Sequence, residues 1–328
     1  MVSPGHVEVV DDWPEPRYGP DEVVVAVRGT GVCGSDLAVV QGERPPPALP
    51  WVLGHEAFGA IVAVGGDVSH RTVGQRVVIE PNYPCLGCAQ CRAGATSGCS
   101  GRRAAGISEP GLLAERVSVP ARFAWPVPDA WPDTDLVCVE PLTVALGAVR
   151  RSAARPGERC LVVGAGSQGL LVCLALLRVG AVPFVTDPHP GRVQLALRIG
   201  AQDATRTASG TRFPVVIETA GVPEAFESAF DRTESGGCLV VVGQSTRPAQ
   251  LSTLTLVQRR LTVRGCLTYD HPDGFAQTLA ELRWERLRPG RVVGARFALS
   301  DAPRAFAEAA RITGKSWISL ARPEEVVP

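Results

Sequence analysis

Cys33, His55 and Glu56 are the residues whose types and spacing first suggest chemistry. They lie in Gly31-Val32-Cys33-Gly34-Ser35-Asp36 and in Gly54-His55-Glu56. A thiolate, an imidazole and a carboxylate brought together make a zinc site of the catalytic kind, with three protein ligands and one position left open. Zinc in such a site lowers the pKa of a bound hydroxyl. Ser35, two residues after the cysteine, could relay a proton, and Asp36 could orient the ring of His55 from behind. Taken alone, a buried cysteine is a small hydrophobe and a single histidine is commonly structural. Other stretches of the chain change that balance.

The first is Cys85-x2-Cys88-x2-Cys91-x7-Cys99. Four thiolates in one short Gly-rich lobe supply a closed tetrahedral zinc site, with no position for substrate and a role in holding the loop together. Chance clustering or a redox Cys-x-x-Cys pair would be the alternative. The second is a strand, Glu158 to Val163, running into Gly164-Ala165-Gly166-Ser167-Gln168-Gly169 and then an apolar helical stretch. Strand, G-x-G-x-x-G, helix is the dinucleotide fingerprint, in which Gly164, Gly166, Gln168 and Gly169 bring backbone and helix N-terminus to the pyrophosphate. The next strand, Val182 to Thr186, ends in Asp187. An acid there can bind both ribose hydroxyls of NAD and repels the 2′-phosphate of NADP; Arg192 nearby could soften the preference. Glu140, just before Pro141, could be a carboxylate at a helix N-terminus or have a second role, given below.

The elements that must position these residues are legible from periodicity and punctuation. Glu22 to Arg28, Ala60 to Gly65 and Gly74 to Ile79 are β-branched runs bounded by Gly and Pro, hence strands. Trp125 to Asp133 is Pro-rich and reads as a linker. Strands at Val215 to Glu218, Cys238 to Val242 and Leu261 to Arg264 alternate with helices such as Pro223 to Phe230, which predicts a parallel sheet. A helix from Pro272, a strand at Arg291 to Ala298, an amphipathic helix from Ala302 to Arg311 and a last strand at Trp317 to Leu320 follow.

The chain has 328 residues, which predicts two domains. Its 33 basic and 33 acidic residues balance, so nothing argues for nucleic acid or an anionic membrane surface. Lys315 is the only lysine. The start lacks a signal-peptide pattern and no apolar run is long enough to span a bilayer, so a membrane role is not expected. Ten cysteines, four of them clustered and Cys138, Cys160, Cys173, Cys238 and Cys266 scattered in apolar surroundings, fit a reducing cytoplasmic compartment with metal binding.

Together these motifs resemble the zinc-containing medium-chain alcohol dehydrogenases over nearly the whole chain. Glu140-Pro141-Leu142 with Cys33-Gly34-Ser35-Asp36 is most similar to the polyol (sorbitol), threonine and butanediol dehydrogenase branch, which includes cyclitol and aminocyclitol dehydrogenases. The resemblance implies an α/β protein with a GroES-like β-rich catalytic domain and a Rossmann doubly wound parallel-sheet domain. The boundaries expected are 1–141 for the catalytic domain with its structural-zinc lobe at 82–100, 142–270 for the NAD-binding domain, and 271–328 for a return to the first. It implies two Zn2+ per chain: a catalytic ion held by Cys33, His55 and a carboxylate, Glu140 or Glu56, and a structural one held by Cys85, Cys88, Cys91 and Cys99. It further implies NAD as cofactor, Ser35 as the residue taking the alcohol proton, and a homodimer or homotetramer paired through edge strands.

The expected reaction is reversible, NAD-dependent oxidation of a small-molecule secondary alcohol (polyol, cyclitol, aminocyclitol or amino alcohol) to a ketone. Reduction of an activated C=C bond or imine on the same fold, or a non-catalytic NAD-binding role, are the alternatives. The chain departs from the pattern at four places. The strand usual before Ser3 is nearly absent, Ala38 stands where many members have a proton-relay histidine, Val39 replaces an aromatic, and Thr268 replaces an arginine of sorbitol dehydrogenases.

Overall fold

Four valines in the first six residues of β1 (Glu22–Gly31) make a strand of high β-propensity, and most of its side chains are buried, as suits a central strand. The computed structural model describes residues 1–284 and 286–320. After β1 come α1 (Gly34–Val40), β2 (Glu56–Val64) and β3 (Arg76–Ile79). A small two-stranded ladder, β4 (Asn82–Tyr83) with β5 (Arg103–Ala104), brackets the four-cysteine lobe and its short helix α2 (Ala89–Arg92). Next are β6 (Arg116–Pro120), β7 (Ala124–Pro126) and α3 (Asp133–Leu136). Before β1, bridge pairing is confined to Ser3 with His6 among the described residues.

The stretch expected as a linker is a packed part of this unit. β7 pairs with β3, and Trp125 Nε1 donates to Glu80 Oε2 at 2.7 Å. Arg76 then ties down the following turn by donating to the carbonyls of Asp129 and Trp131, each at 2.6 Å. Prolines are tolerated there because β7 is an edge strand whose outer N–H groups carry no ladder bond.

The second unit, Pro141–Val292, contains most of α4 (Val139–Ser152) and then alternates strand and helix: β8 (Arg159–Val163), α5 (Ser167–Arg178), β9 (Val182–Thr186), α6 (Pro190–Arg198) and β10 (Gln202–Asp203). The second half adds β11 (Phe213–Glu218), α7 (Pro223–Arg232), β12 (Thr233–Val241), α8 (Thr253–Gln258), β13 (Thr262–Gly265) and α9 (Asp273–Arg283). All neighbours are parallel, in the order β10-β9-β8-β11-β12-β13. This is the doubly wound arrangement, and its order reverses at β8, which places the topological switch point where the glycine turn begins. Leu161, Phe213, Val216, Phe230 and Leu239 are core residues of this unit.

The chain returns to the first unit at Val293 rather than at 271. The intervening α9 stays with the second unit because its apolar face has partners there. Phe275 packs on Tyr269, Thr143 Oγ1 donates to Thr278 Oγ1 at 2.9 Å, and Arg178 pairs with Glu281. The return supplies β14 (Val293–Ala298), α10 (Ala302–Glu308) and β15 (Lys315–Ser319), which complete a sheet ordered β14-β15-β1-β2-β3-β7, with β6 also on β1. One cluster around Val25, Ile61, Val77 and Phe123 and another around Trp51, Leu53, Phe297 and Phe306 fill this unit. Among the described residues no helix is long and apolar enough to cross a membrane.

Candidate metal centre and dinucleotide turn

Antiparallel register brings the first cluster together. Gly31 at the end of β1 lies opposite Glu56 at the start of β2, so the residues just beyond, Cys33 and His55, emerge at the same sheet edge. A Cβ at Gly31 would collide with the Glu56 carboxylate, so the pairing requires glycine there. Ligand atoms of Cys33, His55 and Glu56 all lie within 4.8 Å of one another.

Asp36 organises this cluster from behind. It is fully buried and accepts from Cys33 N at 3.0 Å, Gly54 N at 3.2 Å and the His55 ring at Nδ1 at 3.2 Å. With Nδ1 turned to Asp36, the other ring nitrogen of His55, Nε2, lies 3.3 Å from Ser35 Oγ. Burial would raise the Asp36 carboxyl, but the charge and hydrogen bond of His55 and the Cys33 N–H outweigh it and hold it below its ordinary range. Burial would lower His55, yet Asp36 and then Cys33 hold it well above its usual value. A site that draws positive charge onto an imidazole beside a thiol and a carboxylate suits a cation.

Lys315, the lone lysine noted in the sequence, is 1% exposed, pairs with Glu56 Oε2 and donates to Val32 O at 3.0 Å. Burial would lower its pKa, but Glu56 and then Cys33 raise it, so the ammonium persists. Glu56 Oε1 is buried with no hydrogen-bond partner among the described residues. Sulfur, nitrogen and an unpaired carboxylate oxygen form the donor set of a tetrahedral zinc site with an open position. The structure does not bring Glu140 into this cluster. Glu140 is buried in the first turn of α4, at the end of the first unit, while Lys315 pairs with the Glu56 carboxylate that lies beside Cys33 and His55.

The four cysteines converge likewise, with the sulfurs of Cys85, Cys88, Cys91 and Cys99 within 4.8 Å of one another. Cys85 and Cys91 sulfurs stand 4.0 Å apart, so the pair is not a disulfide. The N–H of Gly87 and the Cys99 thiol draw Cys85 down to about 6, while desolvation and the neighbouring thiols push Cys91 up to about 12. Four sulfurs this close together fit a cation at their centre.

In the second unit β8 runs into Gly164, whose φ of +97° only glycine adopts readily. Gly166 caps α5 and has open space where a side chain would be, while a Cβ at Gly169 would collide with Gly164 O. These are the three roles the fingerprint assigns: tight turn, open approach and close helix packing. Asp187 ends β9 as expected, but its carboxylate is also employed locally. Oδ2 accepts from Ala165 N and Oδ1 from His189 N, each at 2.8 Å, and Arg192 lies 3.8 Å away. The Gln168 amide donates to Pro141 O at 3.2 Å.

Val39 is 1% exposed in a core cluster, which explains an aliphatic residue there. Thr268 is buried with no hydrogen-bond partner for Oγ1 among the described residues. Sequence reasoning missed the pairing of Lys315 with Glu56. The one available signal for Lys315 was its singularity in a chain otherwise using arginine.

The family model described as the alcohol dehydrogenase GroES-like domain matches residues 19–129, and that of the zinc-binding dehydrogenases matches residues 167–284. L-arabinitol 4-dehydrogenase of Aspergillus oryzae is 31% identical over 323 residues, covering 89% of this chain and 83% of its own. L-threonine 3-dehydrogenase of Aeromonas hydrophila subsp. hydrophila is 32% identical over 261 residues, covering 74% and 76%. The crystal structure of galactitol-1-phosphate dehydrogenase from Escherichia coli superposes with a TM-score of 0.87 at 27% identity, over 97% of this chain and 98% of that one.

Proposed function

The chain belongs to the zinc-binding alcohol dehydrogenase family, in its polyol dehydrogenase branch, and from that premise we propose that it oxidises a secondary alcohol of the polyol, cyclitol or amino-alcohol class to a ketone, reversibly, with NAD. The observation that carries this reading is the cluster of Cys33, His55 and Glu56 with Ser35 Oγ 3.3 Å from His55 Nε2. A module that only binds a nucleotide needs none of these four residues.

Cys33, His55 and Glu56 would hold one zinc ion, and the four cysteines of the lobe a second, structural one. When bound, the first supplies a Lewis acid that eases ionisation of an alcohol hydroxyl, and the dinucleotide supplies the hydride acceptor. The chain does the rest. Asp36 fixes the His55 tautomer and ring plane. Ser35 takes the hydroxyl proton and passes its own on to the cofactor ribose or to water, since Ala38 offers no relay group. Lys315 balances the Glu56 charge and leaves Oε1 unpaired. Gly164, Gly166 and Gly169 shape the turn, and the α5 N-terminus favours the pyrophosphate. Asp187, an acid at the end of β9, supports NAD over NADP, with Arg192 beside it.

A homodimer is part of this reading. β13 is an edge strand, all four of its residues are exposed, and Leu254 and Val257 on the adjoining α8 are 65% and 71% exposed. Two-fold pairing of β13 with its copy would satisfy the free backbone groups and cover these side chains. The cysteine pattern supports a cytoplasmic setting.

The test is NADH formation, followed by absorbance, with zinc-loaded protein on sorbitol, arabinitol, threonine, 2,3-butanediol, inositols and aminocyclitols. Turnover abolished in Cys33→Ala and Ser35→Ala supports the reading. Protein that binds NAD and two zinc ions per chain yet turns over none of these would favour a binding role.

A further inference from the structure

β11 ends in a short strap, Glu218-Thr219-Ala220-Gly221, that the glycine fingerprint does not account for. Glu218 is 1% exposed. Its Oε1 accepts from Ala220 N at 2.6 Å and from Gly221 N at 2.8 Å, and its main-chain carbonyl accepts from Gly243 N, just past β12, at 3.2 Å. Gly221 is at φ +71°, and a Cβ on Gly243 would run into its backbone. Glu218 thus ties together the chain leaving β11, through its carboxylate, and the chain leaving β12, through its carbonyl.

Thr219 faces the other neighbour. Its N–H donates to Val163 O at 2.9 Å, and its hydroxyl lies 3.1 Å from Val163 O and 3.0 Å from Gly164 O. A Cβ on Gly164 would stand 3.0 Å from that hydroxyl, and one on Gly169 2.9 Å. Thr219 Oγ1 therefore sits against the turn between its first and third glycines, holding the Gly164 peptide by its carbonyl.

We propose that Thr219 is a positioning residue for dinucleotide binding, its hydroxyl setting the conformation of the Gly164–Gly169 turn while Glu218 holds Thr219 in register. The physical reason is entropic. A glycine turn samples many backbone conformations, and freezing each residue costs on the order of 1–2 kcal/mol. A turn already fixed by a hydroxyl from the neighbouring strand does not incur that cost when the pyrophosphate arrives. The hydroxyl also restrains the direction in which the turn's N–H groups point.

This rests on the dinucleotide reading above, and the experiment separates the two. Dissociation constants for NADH and for ADP-ribose would be measured by calorimetry on the full-length zinc-loaded protein and on Thr219→Val, Thr219→Ser and Glu218→Gln. Valine keeps the shape and removes the donor. The expected result is a rise of about fivefold to tenfold in both constants for Thr219→Val. Thr219→Ser should recover wild-type affinity. Glu218→Gln, which removes the charge from the group accepting the N–H of Ala220 and Gly221, should weaken binding in the same direction. Wild-type affinity in Thr219→Val overturns the proposal, as does a loss in Thr219→Ser equal to that in the valine variant. A lower unfolding temperature with unchanged dissociation constants also overturns it, because the hydroxyl would then serve the fold alone. If the wild-type protein binds neither ligand, the dinucleotide reading falls and the proposal falls with it.

Discussion

Lys315 Nζ pairs with Glu56 Oε2 where both side chains are closed to solvent, at 1% and 0% exposure. Two charges out of water are tolerable only as a pair, and removing one strands the other. Lys315→Met should therefore lower stability to denaturant by about 3–5 kcal/mol. The loss should be smaller with zinc bound, since a cation near Glu56 neutralises it. Lys315→Met with Glu56→Gln should recover part of the stability; equal losses in single and double variants would contradict the pairing.

Asp36→Asn keeps the shape but removes the charge that holds His55 Nδ1–H. Losses of about 10–100-fold in metal affinity are typical for such outer-shell partners. Chelator competition should show one of two zinc ions released more readily, the cysteine-bound ion being unaffected. Loss of both ions together would show a general folding defect instead.

The four-cysteine lobe has short elements and little apolar burial, so its order should depend on its metal. Cys88→Ser or Cys99→Ser is expected to release one zinc ion and open residues 85–99 to protease. Cleavage elsewhere should stay slow. Unchanged protection of the lobe would argue against a structural ion.

Leu254→Asp with Val257→Asp places charge on the exposed face beside β13. In light scattering after size exclusion, the wild-type chain should elute as a dimer or tetramer and the double variant as a smaller species. A monomeric wild type would remove the basis for edge-strand pairing.

Burial lifts the Glu218 carboxyl above its ordinary value of 4.5, and the N–H groups of Gly221, Ala220 and Gly243 pull it back only in part. Its folded pKa thus exceeds its unfolded one. The stability its proton contributes is complete below the unfolded value and is lost as pH rises through the folded value. Urea midpoints from mildly acidic to neutral pH should fall for the wild type by a component that Glu218→Gln abolishes. Identical slopes in the two proteins would exclude it.

Which parts were legible in advance follows from how local they are. Cys85 to Cys99 and Gly164 to Gly169 are read from spacing alone because their chemistry is satisfied within one turn or lobe. β1, β8 and β11 are read from β-branched runs, since burial on both faces demands them. The pairing of Lys315 with Glu56 has no local signature. It exists because β15 and β2 flank β1, so that Lys315 reaches Val32 across 283 positions of sequence. The same holds for Thr219 under Gly164, 55 positions away, which adjacency of β8 and β11 creates. Glu56 shows the same. The sequence offered two carboxylates for one corner of the metal cluster, and the register of β1 with β2, with Gly31 opposite Glu56, is what carries the Glu56 carboxylate to Cys33 and His55. The sequence determined which chemical groups and which local turns exist. Which of them meet was decided by strand register and sheet order, because a side chain's partner across a sheet depends on pairing that no single segment encodes.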